Sequence, residues 1–565
     1  MPEIKKEGFY YEDIECVDLN ELENRCQLLL QREILSVEEL KTWLHDERQI
    51  ESEIEEALTG RMIEFFQDTT NFEKKERYLN GQKTLQPLLL KYRGEFDRKF
   101  CGCPFKDHLS DEAYGFMKKA RKKRNGLLIE ANIPLTLKEQ ELISAYGEMM
   151  GSLSADWNGE MKPYAFVKSK LNSPDREMRE QAWRELGKSR SRIKPDIDRV
   201  MNELVQLRHQ MAINAGFKNY RDYIFEMKGR EFTVQDCYKF HESVEKLLVP
   251  AWGKLALGFQ QELQVDTYRP WDYSHSSLKQ IPFTSFSELL DGVQKMLGKS
   301  DPYFEERFNH MREKRLFDLD DRKGKAPGGA CFTLPKTKNS FIFANFSPSF
   351  IALNALIHEL GHALHFYLQF DHVHGFQEQY LREEVAELYS HSLELLLLDK
   401  IGVFYPDDGE CRKAQREIGK RSFMMLINPV AGDLFQHWMY TNPHHTTEER
   451  DNMYVEINKR YKYAPIDIKG FEADVSSSWM ESVHYIQYPF YKIEYAISQI
   501  GALQLYMIYR ENPDKAIALF KKGAGTSQYA PIPEIYQNTG IEFDFSRAAI
   551  KRVSGFVNGL IEEWI

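Results

Sequence analysis

The chain has 565 residues, 42% hydrophobic and 28% charged, which places it among folded proteins and makes it too long for one ordinary core. A net charge of −11 argues against a nucleic-acid backbone or an anionic membrane as the main partner. No apolar run approaches the roughly 20 residues needed to span a bilayer, and the longest greasy piece, LELLLL at 393–398, contains Glu394. The first twenty residues lack the apolar core of a signal peptide. The seven cysteines (16, 26, 101, 103, 237, 331, 411) form no framework. A cytoplasmic protein with reduced thiols is therefore expected, and CGC at 101–103 reads as ordinary thiols before it reads as a metal pair.

Residues 17–95 are predicted helical almost throughout, with apolar residues three and four apart between charges. Ser36 with Glu39 resembles a capping box. Helix is predicted to continue over 135–210, with Pro174 following a capping Ser173. AGFKNYRDYIF (215–225) reads as a break and then an aromatic-rich segment, and punctuation at 269–277 and 301–302 marks loops. GGACFTLPKTKNSFIFANF (328–346) reads as two short strands around a turn. In the second, Phe341, Phe343 and Asn345 point one way and Ile342, Ala344 and Phe346 the other. The rest, to Ile565, is mostly helical. The predicted fold is mainly α with a small β-sheet next to one unusual helix.

That helix follows directly, in FANFSPSFIALNALIHELGHALHFYLQF (343–370). Ser347 suits a cap and Pro348 a first turn. Ile351, Leu353, Leu356, Leu360 and Leu364 supply apolar cover. His358 and His362 are four apart, so both imidazoles lie on one face and can reach one ion at the zinc–nitrogen distance of about 2.0–2.1 Å. Glu359 leaves the helix beside that ion, placed to take a proton from a polarised water. Three unpartnered polar groups in an apolar helix would cost several kcal/mol, which favours a metal over chance. A catalytic zinc needs a third protein donor and an open position. The pattern that puts it at 368 fails, because positions 365 and 368 are His365 and Leu368. The next helical stretch, 380–402, offers Glu383, Glu384, Glu387, His391 and Glu394, and spacing alone does not choose between Glu384 and Glu387.

HELGH followed by ELYSHSLE resembles the thimet oligopeptidase, neurolysin and oligoendopeptidase F family, with its shorter oligoendopeptidase F and Pz-peptidase branch the nearest match. FDLDDRKGKAPGGACF (317–332) and HYIQYPFYKIEYA (484–496) are similar to further segments of that family. The resemblance implies a zincin-like, two-part helical molecule around a deep substrate channel. Residues 1–200 would form one channel wall and 201–565 the catalytic region. It also implies Glu387 as third ligand beside His358 and His362, one Zn2+ per chain, Glu359 as general base, and short unfolded peptides as substrates, without nucleic-acid or membrane partners. His484 with Tyr488, Tyr491 and Tyr495, spaced 4, 3 and 4, are neutral donors suited to a developing oxyanion, and the family places a His and Tyr there. The expected reaction is endopeptidase cleavage. A dipeptidyl carboxypeptidase of the same fold, or a zinc-stabilised peptide binder without turnover, are the alternatives. Three further expectations concern the surroundings. His391 or Glu394 would orient a ligand. Strand 340–346 would hold a substrate backbone by β-addition, after a hinge or close approach at Gly328 and Gly329. KKGAGTSQYAP (521–531) would be a flexible loop.

Overall fold

The capping signals of the N-terminal third translate into long helices in the computed structural model, which describes residues 6–7, 10–11, 19–127, 129–326, 328–372 and 382–564. Cys16 and most of the first twenty residues lie outside the described residues; the six described cysteines are free thiols. Helices α1 (Leu19–Gln31), α2 (Val37–Gln67), α3 (Phe72–Gly102) and α4 (Asp111–Leu127) come first. Ser36 Oγ accepts from Glu39 N–H at 3.1 Å, and the Glu39 carboxylate accepts from Leu35 N–H at 2.7 Å, one residue before the position a capping box would use. Trp43, Phe96, Phe100 and Met117 form the core of this bundle.

The predicted helix over 135–210 is interrupted. After α5 (Ile133–Gly151), strands β1 (Ser154–Trp157) and β2 (Glu160–Pro163) form an antiparallel hairpin. Asn158 and Gly159 make its turn, with φ of 58° and 84°. Asn-Gly is the strongest short-range hairpin signal, so the sequence did carry this feature. Helix α6 (Arg176–Asn214) is capped by Asp175, not Ser173; the Ser173 hydroxyl instead accepts from Asp175 N–H. Helix α7 (Val234–Leu247) starts with a capping box of Thr233 and Asp236.

A three-stranded sheet follows: β3 (Phe317–Asp320), β4 (Ala330–Leu334) and β5 (Asn339–Phe346), in the order β3-β5-β4. β5 pairs parallel to β3 and antiparallel to β4. Phe341 and Phe343 pack with Ile63 on one face, while Ile342 and Ala344 are wholly buried on the other. Lys325, buried, donates to Asp318 at 2.7 Å and to the Ala344 carbonyl at 2.6 Å, tying β3 to β5. Because β5 is the central strand, both its ladders are used. The β-addition expected of 340–346 is therefore not available there, and the edges are β3 and β4.

Helices α8 (Phe350–His372), α9 (Glu383–Leu396), α10 (Asn428–Thr441), α11 (Lys492–Glu511), α12 (Pro513–Ala524) and α13 (Ile532–Asn538) complete the elements used below. The chain forms two compact units. One comprises Met1–Leu128, Ile281–Phe404 and Gln504–Phe543; the other comprises Ile129–Gln280, Tyr405–Leu503 and Asp544–Ile565. The boundary expected at residue 200 falls inside α6 and does not separate them. Among the described residues no helix is long and apolar enough to cross a membrane.

Candidate metal centre

Helices α8 and α9 approach each other closely because position 361 has no side chain. A Cβ on Gly361 would stand 2.4 Å from Ser390 Cα and 2.8 Å from the Tyr389 carbonyl oxygen. This contact of small residues explains the middle of HELGH and the serine of ELYSHSLE together. The start of α8 differs from expectation by two residues: Ser349, not Ser347, accepts from Ala352 N–H. Ile351, expected to cover the core, is exposed, whereas Leu353, Leu356, Leu360 and Leu364 are buried.

The close approach sets the donor geometry. Glu387 Oε2 lies 3.4 Å from His358 Nε2 and 3.9 Å from His362 Nε2. One donor atom from each of His358, His362 and Glu387 falls within 4.8 Å of the others, the span of three ligands round one ion. The two imidazoles stand nearly perpendicular, centroids 4.9 Å apart. Among the described residues Glu384, equally eligible by spacing, joins no such group. Glu359 is half-buried on the turn between the two histidines.

The remaining residues of α9 orient the donors. His358 Nδ1 donates to Glu394 Oε1 at 2.8 Å, and Asn354 Nδ2 donates to the other carboxylate oxygen at 2.8 Å. This fixes the ring so that Nε2 faces Glu387. A second grouping of His358, His391 and Glu394 is also compact, but the Glu394 hydrogen bond already engages His358 Nδ1. His391 Nε2 lies 3.7 Å from Glu387 Oε2 and backs that carboxylate. Burial alone would lower the pKa of His358, but Glu394, Glu387 and Glu359 outweigh it and push it up to about 9. The pocket thus favours positive charge at the point where the donors converge. Burial, with His358 alongside, holds His362 at about 4, so its imidazole is neutral and able to ligate. Two nitrogens and a carboxylate with a neighbouring free carboxylate fit a borderline divalent ion such as zinc.

Behind α8 the glycine-rich stretch expected to be a loop is helical in its first four residues and irregular over 525–531. Lys521–Ala524 is the last turn of α12, and a Cβ on Gly523 would overlap Thr539 and meet the Tyr389 hydroxyl at 2.8 Å. Gln528 Nε2 pairs with His365 Nε2 at 3.0 Å, and Gln369 donates to the Thr526 carbonyl at 2.7 Å. His365, a histidine that the sequence left unassigned, stacks near Tyr389 with centroids 4.5 Å apart. On the sheet side, Cys331 of β4 has its thiol pushed up by burial and by the charge of Glu359. Gly328 has φ of 106°, a conformation that favours glycine, while a Cβ on Gly329 would make only ordinary contacts.

His484, Tyr488, Tyr491 and Tyr495 belong to the other unit and lie together. His484 lies in a single helical turn, Val483–Ile486, and Tyr495 in the first turn of α11, while between them the chain turns through Pro489 and Phe490, the latter at φ 61°. The turn returns the tyrosines to the histidine. His484 Nε2 is 3.1 Å from Tyr495 Oη, and the His484 ring is 5.6 Å from that of Tyr491 and 6.3 Å from that of Tyr488. Tyr488 is 46% exposed. Arg208 and Arg230, which the sequence did not flag, hold the turn by donating to the carbonyls of Ile486 and Phe490. Burial, with Lys492 nearby, lowers His484 to about 4.

Two donors from one helical turn and a third from the helix packed on it, beside a small sheet, make a group that could hold one divalent metal ion. The chain belongs to peptidase family M3, a family of metallopeptidases, matching its profile over residues 169–532. Group B oligopeptidase PepB of Streptococcus agalactiae is 25% identical over 291 residues, 48% of this chain and 45% of that protein. Oligopeptidase PepF of Bacillus subtilis is 23% identical over 443 residues, 72% of this chain and 63% of that protein. The chain thus spans less than two thirds of the length of these curated relatives. The solved structure of Pz peptidase A with inhibitor 2 shares the fold, with a TM-score of 0.89 at 23% identity over 97% of this chain and 98% of that one.

Proposed function

We propose that this protein is a zinc-dependent endopeptidase that cuts internal bonds of short, unfolded oligopeptides in the cytoplasm. The observation that carries the reading is the convergence of His358, His362 and Glu387 donors with Glu359 on the turn between the histidines. The oligopeptidase names of the relatives support the substrate class. Zinc held by these three side chains would supply Lewis acidity to the scissile carbonyl and to water. Glu359 takes a proton from the attacking water and returns it to the leaving amine. Glu394, braced by Asn354, keeps His358 turned for ligation. His484, with Tyr488, Tyr491 or Tyr495, donates to the developing oxyanion; the neutral state of His484 and its contact with Tyr495 support this. The edge strand β4 is suited to main-chain pairing with an extended peptide, which reads no side chains and gives broad specificity.

The test is Glu359→Gln beside the wild type on internally quenched peptides of graded length, with free and amidated C-termini. The expected result is full metal content with a rate lower by about 10²–10⁴-fold, a falling rate on longer substrates, and equal cutting of amidated peptides. Undiminished activity in the variant overturns the assigned base. Resistance of amidated peptides makes the enzyme a carboxypeptidase.

A further inference from the structure

Helices α7 and α10 carry four metal-type donors at four-residue spacings, Cys237 with His241 and Asp433 with His437. Spacing of four puts each pair on one helical face, and the two faces meet. His241 Nε2 lies 2.8 Å and His437 Nε2 3.1 Å from Asp433 Oδ2. Single donor atoms of Cys237, Asp433 and His437 fall within 4.8 Å of one another. All four residues are buried, with Cys237, Asp433 and His437 fully so. The hydrogen bonding is incomplete: Asp433 Oδ1 and both ring nitrogens of His437 have no hydrogen-bond partner, and the 3.1 Å contact lacks hydrogen-bond geometry. Buried polar groups are ordinarily satisfied, and a buried carboxylate is ordinarily matched by a cation. Among the described residues, the partners of Asp433 are two imidazoles, and the neighbouring Arg230 is paired with Glu494. Phe225, Tyr238 and Phe490 ring His437 at centroid distances of 5.7, 5.0 and 5.3 Å, closing the cluster off.

We propose that Cys237, Asp433 and His437 form a second metal site, structural in character, that takes one zinc-class divalent ion, with His241 donating to Asp433 Oδ2 and holding that carboxylate in place. One thiolate, one imidazole and one carboxylate, whose Oδ1 has no hydrogen-bond partner, are zinc-type donors, and the thiolate selects a transition ion over magnesium or calcium. Sealed by the aromatic rings, the site would join α7 to α10 and take no part in hydrolysis. On binding, the Cys237 thiol gives up its proton to solvent as sulfur becomes a ligand.

The full-length chain, stripped by chelator and titrated with cobalt chloride, tests this, because a thiolate ligand to cobalt gives a near-ultraviolet charge-transfer band. The donors of the α8–α9 centre contain no sulfur. The wild type is expected to bind about two equivalents and show the band. His362→Ala should keep the band and lose one equivalent. Cys237→Ser should lose the band and one equivalent while retaining peptidase activity. If Cys237→Ser does not fold, the band in His362→Ala still decides. A wild type without the band, or a band that survives Cys237→Ser, overturns the proposal.

Discussion

Two helix pairs in this chain use the same local arrangement, donors four residues apart on facing helices, and differ in closure. In α8–α9 the rings of His358 and His362 keep 21% of their surface exposed. In α7–α10 those of His241 and His437 keep 3% and 0%. The first pair is drawn together at Gly361, which places Glu387 beneath the histidines and leaves their outer edge and Glu359 accessible. The second gathers the donors of Cys237, Asp433 and His437 behind a seal of aromatic rings. Closure, more than donor identity, separates a centre that can admit water and substrate from one that can only hold helices together.

Four changes sharpen this contrast. The largest effect is expected of Glu387→Ala, which should lower metal content of the α8–α9 centre by orders of magnitude, while Glu384→Ala should leave it intact; metal analysis after dialysis compares them. Retained metal in the first variant and loss in the second would move the third ligand to Glu384. Next, Glu394→Gln, which weakens the hold on His358, should reduce zinc affinity by about 10–100-fold in competition titrations with a chelator. A smaller change is expected for Gly361→Ala, where the new methyl meets backbone: about 1–3 kcal/mol in urea unfolding. In the other pair, a Cβ on Gly432 of α10 would meet the Lys492 side chain at 2.3 Å and the Tyr485 hydroxyl at 2.8 Å, side chains and not backbone. The better helix propensity of alanine, about 1 kcal/mol, applies to both helices, and side chains give way more readily than backbone, so Gly432→Ala should be milder than Gly361→Ala.

The smallest expected effect concerns pH. His484 has its pKa lowered from 6.5 to about 4 in the fold, so its contribution to stability is full above pH 6.5 and is lost as the pH falls through 4. The stability difference between wild type and His484→Gln should shrink over that window in urea titrations, and a difference independent of pH would show that His484 is not held neutral.

How far these features were legible depends on their range along the chain. The helix carrying H-E-x-x-H and the strand pair around PKTKN rest on neighbours within ten residues, and the placement of both elements agrees with the structure. The Asn158–Gly159 hairpin was equally local and was passed over because helical pattern surrounds it on both sides. Two misreadings and one unread pairing were long-range. The glycines at 523 and 525 resemble a loop until Thr539, Tyr389 and His372 are brought against them. The strand at 340–346 becomes central only when β3, twenty residues earlier, pairs with it in parallel. The pairing of α7 with α10 joins residues almost two hundred positions apart and leaves no local signature beyond two ordinary helices.

By itself the sequence determined the family, the mainly helical class and the two histidines with their glutamate, because helical periodicity fixes which residues share a face. Only the tertiary structure decided which acidic residue of α9 meets those histidines, what orients them and where a second set of donors converges. Those outcomes depend on how closely two helices approach, which is set by side-chain volume at contacts such as Gly361 with Ser390 and not by spacing along either chain segment.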